Sequence, residues 1–158
     1  LLEYISECSN NGYQVFSHNQ APDGNFVSPT LIELNSIDDI NEEKFGPILH
    51  VIKYKTDELD QILNALKNKQ YGLTMGVHSR IESKADDIIN KSIAGNTYIN
   101  RDIVGAVVGS QPFGGTGLSG TGFKAGGPNY LLQFVDERSI TKNTVAFGGN
   151  AEILNLED

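Results

Sequence analysis

Apolar residues follow two alternating patterns between residues 47 and 100. Three short runs rich in β-branched residues are typical of buried strands: "PILHVIKY" (47–54), "LTMGVHS" (73–79) and "NTYIN" (96–100). Between them, apolar residues recur at helical spacing in a helix predicted over 57–68 and in a second helix that follows residue 79. These residues are Leu59, Ile62, Leu63 and Leu66, then Ile81, Ala85, Ile88 and Ile89. The order predicts an α/β fold with a parallel sheet, right-handed crossovers and flanking helices.

Three local signals place the helix ends. Thr56 is a candidate N-cap for the first helix, because its hydroxyl can accept a hydrogen bond from a free N–H group. The spacing of Ser79 and Glu82 matches a capping box at the start of the second helix. Gly95 stands where a C-cap glycine is expected.

The first part of the chain predicts a helix and two strands. "LLEYISEC" reads as an amphipathic helix already under way, and the sequence does not begin with Met, so we expect a segment of a longer protein. "YQVFS" (13–17) and "FVSPTLIEL" (26–34) are predicted strands separated by a turn at 22–24. Pro29 places the second strand at a sheet edge or a bulge.

Composition and charge exclude some classes of partner. The 158 residues carry a net charge of −8 with no basic cluster, so a nucleic acid or an anionic membrane is not expected to bind this segment. No apolar run approaches the roughly 20 residues that span a bilayer. Cys8 is the only cysteine, which excludes an internal disulfide and favours a reducing, cytoplasmic location.

A glycine-rich stretch, "GSQPFGGTGLSGTGFKAGGP" (109–128), has no simple assignment. Residues 115–120 satisfy G-x-G-x-x-G, but Pro112 lies just before them and the residues after them cannot continue as a helix. A Walker loop fails because Phe123 intrudes before Lys124. The apolar residues within the stretch indicate an ordered loop, which either shapes a pocket or only packs.

Most single candidates for chemistry are weak. Cys8 lies in a polar helical segment with no nearby base to lower the pKa of its thiol, so a structural role is favoured. The three histidines lack ligand spacing, and no metal site is predicted. "EEKFGPILHV" (42–51) is more informative, since it sets carboxylates beside an aromatic residue at the entrance of a buried strand. That arrangement is either a solvated charge pair with a core Phe or a site for a ribose diol.

Two stretches together resemble a known family. "EEKFGPILHV" and "GNTYINRDIVGAVVGSQPFGGTGLSGTGFKAGGP" are similar to the C-terminal part of aldehyde dehydrogenases, and within them to Δ1-pyrroline-5-carboxylate dehydrogenases. "KAGGPNYL" and "TKNTVAFGGNA" most resemble the end of the bacterial bifunctional proline utilisation A family. The resemblance covers residues 40 to 151 clearly and implies NAD-dependent oxidation of L-glutamate γ-semialdehyde to L-glutamate.

The resemblance also assigns roles to residues. It implies that Glu43 holds the hydroxyls of the nicotinamide ribose and that Phe45 packs beside them. It implies that backbone N–H groups of Gly105 and Ala106 anchor the substrate carboxylate, and that Phe113 forms an aromatic wall of the aldehyde pocket. The glycine-rich stretch then shapes a pocket and does not cradle a phosphate.

The same resemblance implies what the segment lacks. The family's nucleophilic cysteine, its general base and its dinucleotide-binding domain lie upstream of the matched motifs, so the segment alone is expected to be inactive. We expect residues 1–136 to belong to the catalytic domain and 137–158 to form a C-terminal strand and tail used in assembly of a homo-oligomer. Residues 137–147 are expected to be disordered or paired with a neighbouring molecule. The parent would also carry FAD if it is bifunctional, and peripheral membrane association of the parent stays open. The alternative is a non-catalytic binding or assembly module that keeps the fold.

Overall fold

The computed structural model describes residues 1–18, 21–105, 107 and 109–143. Three helices and seven strands alternate along these residues, which confirms the α/β class. The helices are α1 (Leu2–Asn10), α2 (Leu59–Lys69) and α3 (Glu82–Lys91). The strands are β1 (Gln14–Ser17), β2 (Thr30–Leu34), β3 (Ile48–Ile52), β4 (Tyr71–Gly72), β5 (Thr74–Val77), β6 (Asn96–Ile99) and β7 (Thr116–Gly117).

The main core lies between α1 and a sheet of β1, β2 and β3. β2 pairs antiparallel with β1 and parallel with β3. Alternate residues of β2 are buried, as expected for a strand with one face on a core. Cys8 of α1 packs with Ile32 and Leu34 of β2.

The strands predicted between 47 and 100 exist, but they do not form one sheet within the described residues. β5 pairs parallel with β6, and α3 connects them. β3 instead pairs with β2 over the full register from Thr30↔Ile48 to Leu34↔Ile52. The apolar pattern located these strands, but the prediction that they are buried is wrong for the described residues, where β3 has no buried residue and β5 and β6 have one each. The pattern also carries no information about which neighbour each strand pairs with.

The three predicted helix ends are wrong in detail. α2 is preceded by a 3₁₀ turn over Thr56–Glu58, and the carboxylate of Glu58 accepts the Lys55 N–H at 2.8 Å, so Thr56 is not the cap. Ser79 accepts a hydrogen bond from the Ile81 N–H at 3.1 Å in a local turn, and α3 begins at Glu82 without a side-chain cap.

Gly95 is not a C-cap either, because α3 already ends at Lys91 with Ser92 as its cap. Its N–H donates to the carbonyl of Gly72 at 2.9 Å, which joins the residue before β6 to the end of β4. A Cβ at this position would overlap the carbonyl of Gly114, so glycine is needed here for the glycine-rich stretch to pack close by.

The C-terminal part of the chain is described only to residue 143. Residues 130–134 form a 3₁₀ turn, and residues 137–143 lie in no strand. The remainder of the expected strand at 137–147 lies outside the described residues, so the strand and its partner stay predictions. Across the described part of the chain, no helix has both the length and the apolar character needed to cross a membrane.

Candidate functional site

The glycine-rich stretch folds into a compact, hydrogen-bonded loop. Phe113 and Ala125 exchange two backbone hydrogen bonds, at 3.1 and 2.8 Å, and so close the loop at its base. Inside it, the Gly122 N–H donates to the carbonyl of Gly115 at 2.9 Å. The prediction that this stretch is ordered is therefore confirmed for its described residues.

Several glycines in the loop are required by close backbone approach. A Cβ on Gly114 would overlap the carbonyl of Phe123, and one on Gly115 would overlap the carbonyl of Ser119. The G-x-G-x-x-G residues do not open a helix, since Thr116–Gly117 is a short strand and the next helical turn begins at Tyr130. A phosphate cradle at a helix N-terminus is thus not the geometry of this loop.

Strand β6 holds the segments on which the predicted substrate residues lie. Asn96 donates from its amide nitrogen to the carbonyl of Pro112 at 3.0 Å and accepts the Gly114 N–H at 3.0 Å, on either side of Phe113. Two residues further along β6, the hydroxyl of Tyr98 donates to the carbonyl of Gly105 at 2.9 Å. Alternate residues of a strand share a face, so one face of β6 secures both segments.

Gly105 itself has a left-handed backbone with φ of +63°, a conformation that glycine adopts without strain. Tyr98 is buried, and the Arg101 guanidinium lies 4.5 Å from the centre of its ring. Phe113 is half-buried at the base of the loop. Ala106, predicted as the second anchoring residue, lies outside the described residues.

Strand β4 joins the loop to the segment of Glu43. β4 pairs antiparallel with β7, with Tyr71 opposite Gly117. The Leu118 N–H donates to the carbonyl of Gln70 at 2.8 Å, which extends this connection. On the other side, the Tyr71 hydroxyl accepts the backbone N–H of Glu43 at 3.4 Å.

Glu43 and Phe45 both lie at the surface. The ring of Phe45 is 81 % exposed in this chain. Among the described residues, the ion pair in this segment joins Glu42 to Lys44 and leaves the Glu43 carboxylate outside it. A solvent-facing carboxylate beside an exposed ring fits a ligand that carries hydroxyl groups and a flat face.

A polar cluster lies under this segment. The Lys44 ammonium lies 4.6 Å from the ring centre of Tyr4, and the Tyr4 hydroxyl is 2.8 Å from Nε2 of His50. Burial, and then the neighbouring Cys8 thiol, raise the pKa of Tyr4, while burial lowers the pKa of His50. The hydrogen bond to Lys44 and its charge lower the pKa of Glu42. Tyr4 and His50 are therefore neutral near pH 7.

Cys8, the only cysteine, is 4 % exposed in the main core. Burial to this degree is typical of a structural cysteine. Within the described ranges, no three residues of the types that bind metals gather in one place.

Among the described residues, open cavities also occur away from the predicted site residues. One, of about 550 Å³, adjoins Gly46 and Pro47 and is lined by apolar side chains that include Phe16 and Leu49. Another, of about 460 Å³, lies in the glycine-rich loop around Phe123 and Lys124. Neither contains a cluster of ionisable groups that suggests separate chemistry.

Sequence reasoning missed the residues that hold the predicted site together. Tyr71, Asn96 and Tyr98 were assigned no role from the sequence, yet each bonds backbone groups through its side chain: Tyr71 and Tyr98 through one hydrogen bond, and Asn96 through two. The signal available was the clustering of polar residues at the ends of β4 and β6, which alternation alone does not distinguish from surface positions.

Known proteins share sequence and fold with this chain. The model of the family described as "Aldehyde dehydrogenase family" matches residues 1–140. The Bifunctional protein PutA of Klebsiella aerogenes is 53% identical over 115 residues, which cover 73% of this chain and 9% of that protein.

Solved structures show the same fold. A crystal structure of a mutant of Bradyrhizobium japonicum Proline Utilization A (PutA) has a TM-score of 0.80 and 47% identity, covering 94% of this chain and 15% of that one. The 1-Pyrroline-5-Carboxylate Dehydrogenase from Thermus with bound NAD has a TM-score of 0.73 and 37% identity, covering 85% and 26%. This chain therefore spans only a small part of the length of the proteins it matches.

Proposed function

Because the chain belongs to the aldehyde dehydrogenase family, we propose that it is the C-terminal part of the catalytic domain of an NAD-dependent dehydrogenase. Its substrate is L-glutamate γ-semialdehyde, the open form of Δ1-pyrroline-5-carboxylate, and its product is L-glutamate, in proline catabolism. The observation that carries the proposal is the attachment to one face of β6 of both segments expected to contact the substrate. The reaction is inferred from the similar Thermus protein, a 1-pyrroline-5-carboxylate dehydrogenase with bound NAD.

The cofactor site fits the surface around Glu43. Its carboxylate can accept hydrogen bonds from two ribose hydroxyls, and Phe45 offers an exposed face for packing against the same ligand. NAD, when bound, supplies the acceptor for the hydride of the aldehyde. Within this chain, the task of Glu43 and Phe45 is to hold and orient it. If the parent is bifunctional, as PutA relatives are named, a separate proline dehydrogenase domain would carry FAD.

The substrate site uses backbone groups. In the proposed arrangement, N–H groups of Gly105 and Ala106 bind the substrate carboxylate, and Phe113 forms a wall of the aldehyde pocket. Tyr98 would hold this loop in place by bonding the Gly105 carbonyl. Charge-assisted hydrogen bonds of this kind contribute about 1.5–3 kcal/mol each.

The nucleophile comes from elsewhere in the parent protein. Cys8 is the only cysteine of this chain and is buried. Isolated residues 1–158 are therefore expected to produce no NADH from glutamate semialdehyde and NAD, whereas the full-length protein does. The absorbance of NADH measures the activity of the isolated chain and of the full-length protein. NADH formation by the isolated chain that is abolished by Cys8→Ser would contradict this account, and a full-length protein without activity would favour a non-catalytic module.

Assembly and location are part of the same proposal. Residues 137–158 would form the assembly segment of a homo-oligomeric parent, and residues 1–136 would belong to the catalytic domain. The buried free thiol and the absence of a basic cluster support a cytoplasmic protein that acts on a small molecule.

Tyr98 provides a test of the substrate anchor. In the full-length protein, Tyr98→Phe should raise KM for glutamate semialdehyde about three- to tenfold, the equivalent of one neutral hydrogen bond. KM for an uncharged aldehyde of similar length should change less than twofold. Tyr54→Phe, at an exposed tyrosine after β3, is the control. Equal losses for both aldehydes would mean that Tyr98 only supports the fold.

A further inference from the structure

Lys44 lies between the two residues proposed to contact the cofactor, yet its side chain is placed differently from theirs. Glu43 is exposed and the Phe45 ring is 81 % exposed. The side chain of Lys44 is only 21% exposed, which is low for a lysine. The middle residue of the three is therefore directed toward the protein, and its two neighbours face solvent.

The inward side chain makes two contacts. Its ammonium forms an ion pair with Glu42 and lies 4.6 Å from the ring centre of Tyr4. Such a cation–π contact gains strength when the cation is partly removed from water.

Tyr4 is itself firmly held. It packs against the main core, and its hydroxyl is hydrogen-bonded to His50 of β3, whose ring it also meets edge to face at 5.8 Å. Lys44 is thus attached, through one aromatic ring, to both α1 and β3.

The segment needs such an attachment. Residues 41–47 belong to no helix or strand, so no regular ladder fixes their backbone. A ligand that binds a flexible segment must also order it, and the conformational entropy lost in that ordering weakens the binding.

We propose that Lys44 is a positioning residue for the cofactor. By holding the centre of the segment against Tyr4, it fixes Glu43 and Phe45 in the outward arrangement that receives the nicotinamide ribose. This inference rests on the proposed function, because it assumes that Glu43 and Phe45 bind NAD.

The experiment compares variants of the full-length protein. Lys44→Met removes the cation and keeps an unbranched apolar chain, and Lys44→Arg restores a cation that can lie on the ring. Lys53→Met is the matched control, because Lys53, just after β3, forms an ion pair at the surface with Glu33 of β2. The dissociation constant of NAD, KM for NAD and kcat are measured for each.

Lys44→Met should raise the dissociation constant and KM of NAD about tenfold, with kcat at saturating NAD and KM for the aldehyde within about twofold of the wild type. Lys44→Arg should recover most of the affinity, and Lys53→Met should lose none. A purely structural role would instead lower kcat or the thermal midpoint together with affinity. Either that pattern or unchanged NAD affinity in Lys44→Met would overturn the inference.

Glu43→Gln separates this inference from the function on which it rests. If Glu43→Gln weakens NAD binding and Lys44→Met does not, only the role of Lys44 is refuted. If neither variant weakens it, the assignment of the cofactor site fails. When Lys44 acts through Glu43, the effect of Lys44→Met should shrink in a Glu43→Gln background, and an undiminished effect would contradict that route.

Discussion

Gly95→Ala in the full-length protein is expected to detach the glycine-rich loop from the sheet. A Cβ at this position would overlap the carbonyl of Gly114 and come within 2.8 Å of the Lys124 ammonium. The carbonyl belongs to a backbone held by Asn96, so it cannot move away without loss of that hydrogen bond. Overpacking of this kind lowers the free energy of unfolding by about 1–3 kcal/mol. The upper end of that range is expected here, because the group in the way is a backbone carbonyl.

Hydrogen exchange localises the effect. The amides of Phe113, Gly122 and Ala125, which close the loop, should exchange on the order of a hundredfold faster, and kcat/KM for the semialdehyde should fall with them. Ser83→Ala, at an exposed position on α3, is the control. Unchanged exchange in Gly95→Ala would show that the loop does not depend on this contact.

Glu43→Gln is expected to weaken NAD binding by roughly ten- to a hundredfold. The substitution keeps the shape of the side chain but removes the charge, and a hydrogen bond to a charged group contributes about 1.5–3 kcal/mol. Because Glu43 is exposed and lies outside the ion pair of its segment, the fold should be unaffected.

Steady-state kinetics with varied NAD measure the weakening of NAD binding in Glu43→Gln, and the midpoint of thermal unfolding shows whether the fold is unaffected. Glu82→Gln, at an exposed carboxylate on α3, should leave KM for NAD unchanged. If Glu43→Gln has the same NAD dependence as the wild type, this carboxylate does not hold the ribose.

The local sequence pattern predicted the helices and strands, but it did not predict the contacts between them. The apolar period located α2, α3 and the strands β3, β5 and β6 to within a few residues. The predicted helix over "LLEYISEC" is α1. The family assignment and fold class, drawn from the long glycine- and proline-spaced motif, are confirmed by the comparisons.

The errors share a physical origin. Ser79 and Gly95 have residue types typical of caps, yet Ser79 serves a turn and Gly95 makes room for the loop from a distant part of the chain. The strand predicted over 26–34 begins only at Thr30, where pairing with Ser17 and Ile48 starts. Such contacts join residues far apart in sequence, so no local pattern contains them.

The residues of the candidate site also fall into those predicted from the sequence and those identified only from contacts in the structure. Glu43, Phe45, Gly105 and Phe113 were identifiable from motifs, while Tyr98 and Lys44 became visible only through the groups that they contact. The roles of the first four are still proposals, since they rest on resemblance and on fitting surroundings.

The most direct test of the central claim is the ratio of kcat/KM for L-glutamate γ-semialdehyde to that for an uncharged aldehyde of similar length, measured with NAD and the full-length protein. Two charge-assisted N–H bonds to the substrate carboxylate predict a preference on the order of a hundredfold or more. Equal kcat/KM values for the two aldehydes would contradict the assignment of a carboxylate-binding aldehyde site to this chain.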